Sequence, residues 1–340
     1  MADKVTEPIV GAYLIPRNHA QALNIGLLTY HRIMRKALIF GFLAAMLALF
    51  GMPAHAASTT TIVAVGDVAR LHGGQYKTAQ LTKNLKPNAV LIAGDLAYRN
   101  GSTANFTDYF EPAWRSVLTK YPTLAVPGNH EYNTANAAGY RSLVKKYSLP
   151  KTGRNLWWTK NIDGWTIIGL DSERTSSTTQ RNFLTTTLRN NNGRPTIVMW
   201  HKPTFTRGLH VLDRCITSSW WNTISADADV KIVLWGHDHN YEQVDHSAHD
   251  AAATYCDTKL RAPNHLMTTF VVGTGGAELR GCTVPNVAGE LLCGTSTKNY
   301  GVLKLTLTSH SYAWSFRRVD DFTKRPSSTG IQKDSGSHSF

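Results

Sequence analysis

Five short clusters of ligand-type side chains recur along the chain, each directly after a short apolar run. They are Gly66-Asp67, Gly94-Asp95-Leu96-Ala97-Tyr98, Gly128-Asn129-His130-Glu131, His201 and Gly236-His237-Asp238-His239. Each cluster alone has a plain structural explanation: an Asp after a strand caps or turns, an Asn before His sits in a turn, and a His-x-His pair lies on a surface. Among them Asp67, Asp95, Tyr98, Asn129, His201, His237 and His239 offer two carboxylates, a phenol, a carboxamide oxygen and three imidazoles. That donor set suits two divalent or trivalent first-row cations better than Ca²⁺, which wants oxygens alone. Gly residues before Asp67, Asp95, Asn129 and His237 permit the tight turns that bring backbone close to a site. No G-x-S-x-G motif is present. Water activated between two metals would make a Ser or Cys nucleophile unnecessary.

The elements that must position these clusters are legible around them. The β-branched runs at 61–65, 89–93, 123–126, 196–200 and 230–235 predict strands buried on both faces. Helices are predicted within 79–85, 106–118, 138–147 and 180–189, the last with Phe183, Leu184 and Leu188 on one face. The alternation predicts an α/β domain whose strands run largely parallel. Ligands of such sheets bind beyond the carboxyl ends of the strands, so all five clusters can meet at one edge.

A chain of 340 residues, 42% hydrophobic and 17% charged, is not disordered, collagenous or a coiled coil. Met34-Arg35-Lys36 is followed by 16 residues without charge, 37–52. That run is shorter than the ~20 residues of a membrane helix. Pro53-Ala54-His55-Ala56-Ala57 then matches the small-x-small pattern of a secretory cleavage site. The reading is an N-terminal extension and signal peptide over 1–56, cleaved near Ala56/Ala57, with translation starting at Met34; an uncleaved anchor is the alternative. After cleavage no membrane span remains, and the address is secreted, periplasmic or extracellular. Taking the five Lys/Arg and two Asp/Glu of 1–56 from totals of 36 and 23 leaves a charge of +10. Such a surface attracts anionic substrates. No Lys/Arg run of five occurs, so nothing indicates specific nucleic-acid binding. All four cysteines lie after residue 56, and export predicts two disulfides. Cys282 and Cys293 flank one loop and close most cheaply, leaving Cys215 with Cys256. No C-x-x-C supports a zinc knuckle.

The ordered set from Gly66-Asp67 to Gly236-His237-x-His239 resembles the metallophosphoesterase (calcineurin-like) superfamily. Tyr98, and Tyr241-Glu242 after the last cluster, are similar to its purple acid phosphatase branch. Phe270-Val-Val-Gly-Thr-Gly-Gly and Tyr300-Gly-Val-Leu-Lys-Leu are similar to secreted bacterial members. The resemblance spans about 61–319. It implies an α/β four-layer fold, two packed mixed β-sheets flanked by helices, as a catalytic domain over 57–322. Residues 323–340, rich in Ser, Thr, Lys and Gly, are expected to form a flexible tail. The resemblance also implies two metal ions. Asp67, Asp95, Tyr98 and His239 would hold the first, and Asp95, Asn129, His201 and His237 the second, with Asp95 bridging. A phenolate at Tyr98 implies Fe(III) in the first site, with Fe(II), Zn or Mn in the second.

Two departures from the family pattern stand out. Ala69 occupies a position where many members have a ligand His, which makes Tyr98 the natural substitute. The N-terminal β-sandwich of plant-type members does not fit into the ten residues between the cleavage site and Asp67. The implied function is a secreted phosphoesterase that hydrolyses small phosphate monoesters by attack of a metal-bound hydroxide. Phosphodiester or phytate hydrolysis on the same site, and a non-catalytic phosphate-binding or surface-interaction protein, are the alternatives. His130 is the candidate for stabilising the transition state or protonating the leaving oxygen. His210, nine residues after His201, is a candidate contact for the phosphate or leaving group. Tyr241 and Glu242 are expected to support rather than react. The oligomeric state is not set by these features.

Overall fold

Alternate residues of β1 (Thr60–Val65) serve two different cores: Ile62 and Ala64 face one, Val63 and Val65 the other. The same division runs through β2 (Ala89–Ala93), where Leu91 and Ala93 oppose Val90 and Ile92. Strands that are apolar on both faces must be covered on both, and that requirement builds the layers. The computed structural model describes residues 58–210, 213–247, 254–255, 258–282, 299–319 and 331–340. The expected leader and signal peptide over 1–56 lie outside them. Of the four cysteines Cys282 is described, while Cys256, Cys293 and the side chain of Cys215 lie outside, so neither proposed pair is described whole.

The first sheet runs β14-β13-β12-β1-β2-β3, with β3 at Thr123–Val126, β12 at Gly301–Leu307, β13 at Ser311–Arg318 and β14 at Ile331–Ser339. The second runs β4-β5-β6-β7-β11-β8. Its strands are β4 (Trp158–Ile162), β5 (Trp165–Gly169), β6 (Thr196–Met199), β7 (Val230–Trp235), β8 (Tyr241–His246) and β11 (Met267–Val272). A two-residue ladder, β9 (Thr254–Tyr255) with β10 (Thr258–Lys259), stands apart. In the first sheet β1, β2 and β3 are parallel and β12 to β14 antiparallel. In the second, β5, β6, β7 and β11 are parallel, flanked by antiparallel β4 and β8. Both sheets are therefore mixed, with parallel strands at the site and hairpins at the margins.

The inner faces meet in one core that includes Leu91, Trp158, Ile197, Leu234, Phe270 and Phe316. Helices cover the outer faces. On the first sheet these are α1 (Gln75–Leu85), α2 (Glu111–Lys120) and α3 (Ala138–Tyr147), which supply Leu81, Trp114, Tyr140 and Leu143. On the second they are α4 (Thr178–Arg189) and α5 (Ser218–Ile224), with Leu184, Leu188, Trp220 and Trp221. The result is helix, sheet, sheet, helix. The helix predicted at 79–85 begins four residues earlier, and the one at 106–118 opens with a π-helical turn, Phe106–Phe110.

The expectation of a loose tail over 323–340 does not hold for its last ten residues, while 323–330 lie outside the described residues. Residues Ile331–Ser339 pair with β13 as an edge strand. The strand is polar, so no apolar alternation announced it. Its anchor is one buried carboxylate, Asp334, which accepts hydrogen bonds from Tyr241 Oη at 2.7 Å and Trp314 Nε1 at 3.0 Å.

Candidate metal centre

All five clusters emerge at neighbouring strand ends. Asp67 follows β1, Asp95 follows β2, Asn129 opens a single helical turn after β3, His201 follows β6, and His237 and His239 follow β7. The chain reverses sharply there: φ is 56° at Asp67, 48° at Asp95 and 71° at His237. This left-handed region is strained for a residue with a Cβ, and such strain collects at functional sites. Gly128 is needed because the chain passes against the Asp95 carboxylate; a Cβ there would stand 2.1 Å from Asp95 Oδ1.

Fixed backbone groups aim the side chains. His201 Nδ1 lies 2.8 Å from the Ala93 carbonyl and His239 Nδ1 2.7 Å from that of Glu278. A carbonyl only accepts, so each Nδ1 carries a proton and each Nε2 is turned into the site, where a cation would take the place of any proton it holds. Asp95 Oδ1 accepts from the His130 N–H at 2.9 Å, which turns Oδ2 inward.

The donor atoms form a continuous chain. Tyr98 Oη lies 2.6 Å from Asp67 Oδ1, 3.0 Å from Asp95 Oδ2 and 3.0 Å from His239 Nε2. Asp95 Oδ2 is 3.2 Å from His201 Nε2, which is 3.1 Å from Asn129 Oδ1. The donor atoms of Asp95, His201 and His237 all lie within 4.8 Å of one another. Ligands at about 2.0–2.2 Å from a shared cation stand about 3 Å apart, so these spacings and donor types fit metal coordination. Asp95 Oδ2 belongs to both groups, one around Tyr98 and one around His201.

Charge is concentrated out of water here. Burial pushes the Asp67 carboxyl up, but its hydrogen bond and charge interaction with His239 outweigh that and hold it low. Burial likewise opposes ionisation of Asp95, and the His201 charge and hydrogen bond hold it far below the carboxylate range. Burial disfavours the charged His201 ring, yet Asp95 raises it to about 10. Burial, then Asp67 and Asp95, keep the Tyr98 phenol protonated. It would lose that proton only to a strong positive charge placed between these groups.

His130 is about one-quarter exposed. Its Nδ1 contacts the Arg99 carbonyl, its Nε2 stands 3.8 Å from Asp95 Oδ2, and its ring lies 4.3 Å from that of Tyr98. His210 lies over the His237 ring at 3.8 Å, with Arg280 Nη1 3.1 Å from its Nε2. Its backbone N–H donates to buried Asp238 at 3.1 Å. Tyr241 is stacked on Phe316 in the core, and Glu242 accepts from the N–H of Arg207. Two residues were missed. Asp213 Oδ2 lies 2.8 Å from His237 Nε2 and 3.4 Å from His210 Nδ1; it opens the 3₁₀ turn Asp213–Thr217, where no strand end marks it. Glu131, pushed to about 8 by burial and then by Asp95, accepts from the N–H groups of Leu96, Ala97 and Gly128. It thereby ties together the turns that carry Asp95 and Asn129; its place inside the third cluster was the available signal.

The model of the calcineurin-like phosphoesterase family matches residues 60–241, from the start of β1 to the first residue of β8. The chain belongs to this family. For a calcineurin-like phosphoesterase the implied centre is dimetal and the implied chemistry is phosphoester hydrolysis. No curated protein sequence matches the chain. Among solved structures, purple acid phosphatase PPD1 from yellow lupin (Lupinus luteus) seeds is similar over 83% of the chain, with 19% identity and a TM-score of 0.62. The chain spans 54%, about half, of that phosphatase. PhoD is similar over 85% of the chain and 71% of its own, at 13% identity and a TM-score of 0.60. GAP50, described as the anchor in the inner membrane complex of Plasmodium, is similar over 83% and 88%, at 16% identity and a TM-score of 0.57. At these identities the likeness is one of fold.

Proposed function

We propose that this calcineurin-like phosphoesterase is an exported dimetal hydrolase of small phosphate monoesters. The observation that carries the reading is Asp95 Oδ2, which stands 3.0 Å from Tyr98 Oη and 3.2 Å from His201 Nε2 and so is shared by two donor groups. Asp67, Asp95, Tyr98 and His239 would hold one cation, and Asp95, Asn129, His201 and His237 the other. When bound, the pair supplies Lewis acidity to a phosphate and lowers the pKa of water beside it.

The rest falls to the chain's own side chains. Hydrolysis forms one bond from a water oxygen to phosphorus and breaks the bond to the ester oxygen, which must gain a proton. His130 Nδ1 is committed to the Arg99 carbonyl, so Nε2 is the atom that delivers that proton. His210, held by Asp238 and beside Arg280, is placed to hydrogen-bond the phosphate or the leaving group. Tyr98, a hard anionic donor once deprotonated, favours Fe(III) in the first site, with Fe(II), Zn or Mn in the second.

Export rests on the charge-free run 37–52 and the small residues at 54 and 56. Among the described residues no helix is long and apolar enough to cross a membrane. An oxidising address supports the pairs Cys282–Cys293 and Cys215–Cys256. The anchor role printed for the Plasmodium neighbour belongs to the same fold, so fold alone does not select catalysis; the complete donor set supports it. Metal analysis of purified protein, with rates on p-nitrophenyl phosphate, bis(p-nitrophenyl) phosphate and phytate, tests the reading. Two metals per chain and faster release from p-nitrophenyl phosphate than from its bis-ester are expected. Metal-free protein that takes up no metal and turns over none of the three would overturn it.

A further inference from the structure

A cavity of about 490 Å³ opens above Tyr98, His130 and His239. That size suits a small ligand. Its lining includes three guanidinium groups, Arg70, Arg99 and Arg280, and a single carboxylate, Glu278. Glu278 is already engaged, 2.9 Å from Arg70 Nη1. Arg280 is tied to the floor, because its N–H donates to the His239 carbonyl at 2.9 Å. Arg99 is exposed, and its guanidinium has no hydrogen-bond or ion-pair partner among the described residues. Its carbonyl is the group that holds His130, so its side chain springs from the edge of the reacting centre. The rim therefore carries two positive charges beyond what Glu278 balances.

A phosphate seated on the metal centre would leave those rim charges unmatched. We propose that the pocket selects phosphomonoesters bearing a second phosphoryl group, with Arg99, Arg70 and Arg280 holding that group at the rim. The inference rests on the phosphomonoesterase reading above and adds the substrate class. Guanidinium is suited to the role because its planar fork meets two phosphoryl oxygens at once. The second phosphoryl is bound equally before and during reaction, so its contribution falls on KM rather than kcat.

The test compares kcat/KM for fructose 1,6-bisphosphate and fructose 6-phosphate, by phosphate release, in the metal-loaded full chain and three variants. The bisphosphate is expected to be preferred. Arg99→Ala should reduce the preference about 10- to 100-fold, through KM, as loss of a charged hydrogen-bond pair requires. Arg99→Lys should retain part of it. Glu278→Gln, which frees Arg70 and removes the rim's carboxylate, should raise the preference. Opposite signs at two exposed positions cannot come from misfolding. Equal use of both sugars by the wild type, a preference unmoved by Arg99→Ala, or a preference lowered by Glu278→Gln would overturn the proposal. Failure to release phosphate from either sugar or from p-nitrophenyl phosphate would instead strike the phosphomonoesterase reading.

Discussion

The backbone N–H of His237 donates to Asp67 Oδ2 at 2.8 Å, joining the turn after β7 to the turn after β1. These strands belong to different sheets, so this hydrogen bond, with that of His201 Nδ1 to the Ala93 carbonyl, ties the two halves of the fold together at the site. Both residues have positive φ, and a Cβ on Gly236 would stand 2.7 Å from the same Asp67 oxygen. The ligand geometry and the packing of the two sheets are therefore one problem for the sequence, and substitutions at the strand ends separate coordination from chemistry.

Asp95→Asn removes the charge at the oxygen shared by the Tyr98 and His201 groups. Metal content should fall and turnover should vanish together, read by elemental analysis and p-nitrophenyl phosphate release. His130→Ala should keep the metals and lower kcat by roughly 10²–10⁴-fold, the usual worth of a general acid. Metal loss in His130→Ala would show that its imidazole supports coordination instead.

Asp334→Ala tests the edge strand β14. The carboxylate is the partner of two buried donors, Tyr241 Oη and Trp314 Nε1, and both would be left unsatisfied. The expected loss is about 2–4 kcal/mol of unfolding free energy, read by urea denaturation. A variant within about 0.5 kcal/mol of wild type, the range of ordinary surface substitutions, would mean that the strand contributes little.

These contrasts show what the sequence could and could not disclose. The strands at 89–93, 123–126 and 230–235 were legible because both their faces are buried, which forces an unbroken apolar run. The clusters were legible because strand ends are where such sheets place ligands. Strand β14 was not, because an edge strand needs no apolar period and its anchor, Asp334, looks like any surface acid. Asp213 was not, because it reaches His237 from a short 3₁₀ turn, Asp213–Thr217, that follows no strand end. The Arg rim was equally hidden: Arg70, Arg99 and Arg280 come together only when three loops meet over the site.

The carboxyl of Asp171, just past β5, gives a pH dependence. Burial pushes it up to about 6, although Tyr132 donates to it and the Glu173 N–H does so at 3.1 Å. Its folded pKa lies above the ordinary 3.8, so the native state holds the extra proton between about 4 and 6. Stability from this group is complete below pH 4 and is lost as pH rises through 6, by roughly 3 kcal/mol. Asp171→Asn cannot release a proton. The wild-type minus variant difference in unfolding free energy should therefore become more unfavourable to wild type from pH 4 to pH 7. A difference that stays flat would place the Asp171 pKa at its ordinary value.

The proposed iron assignment turns on Tyr98. Its hydroxyl stands within 3.0 Å of Asp67, Asp95 and His239, and burial with two carboxylates keeps it protonated in the absence of a cation. Ionising it in that setting takes a strong Lewis acid, and a phenolate is a hard donor that favours Fe(III) over Zn²⁺ or Mn²⁺. Ala69 is fully buried and offers no competing ligand at the position where an imidazole would otherwise enter. Purified protein should therefore contain iron and show a visible tyrosinate absorption. Tyr98→Phe should abolish that band and lower the iron content, while leaving Asp95 to hold the second cation with Asn129, His201 and His237. A colourless, active wild-type enzyme that contains only zinc or manganese would rule out the iron assignment and leave Tyr98 as a hydrogen-bond donor that orients Asp67.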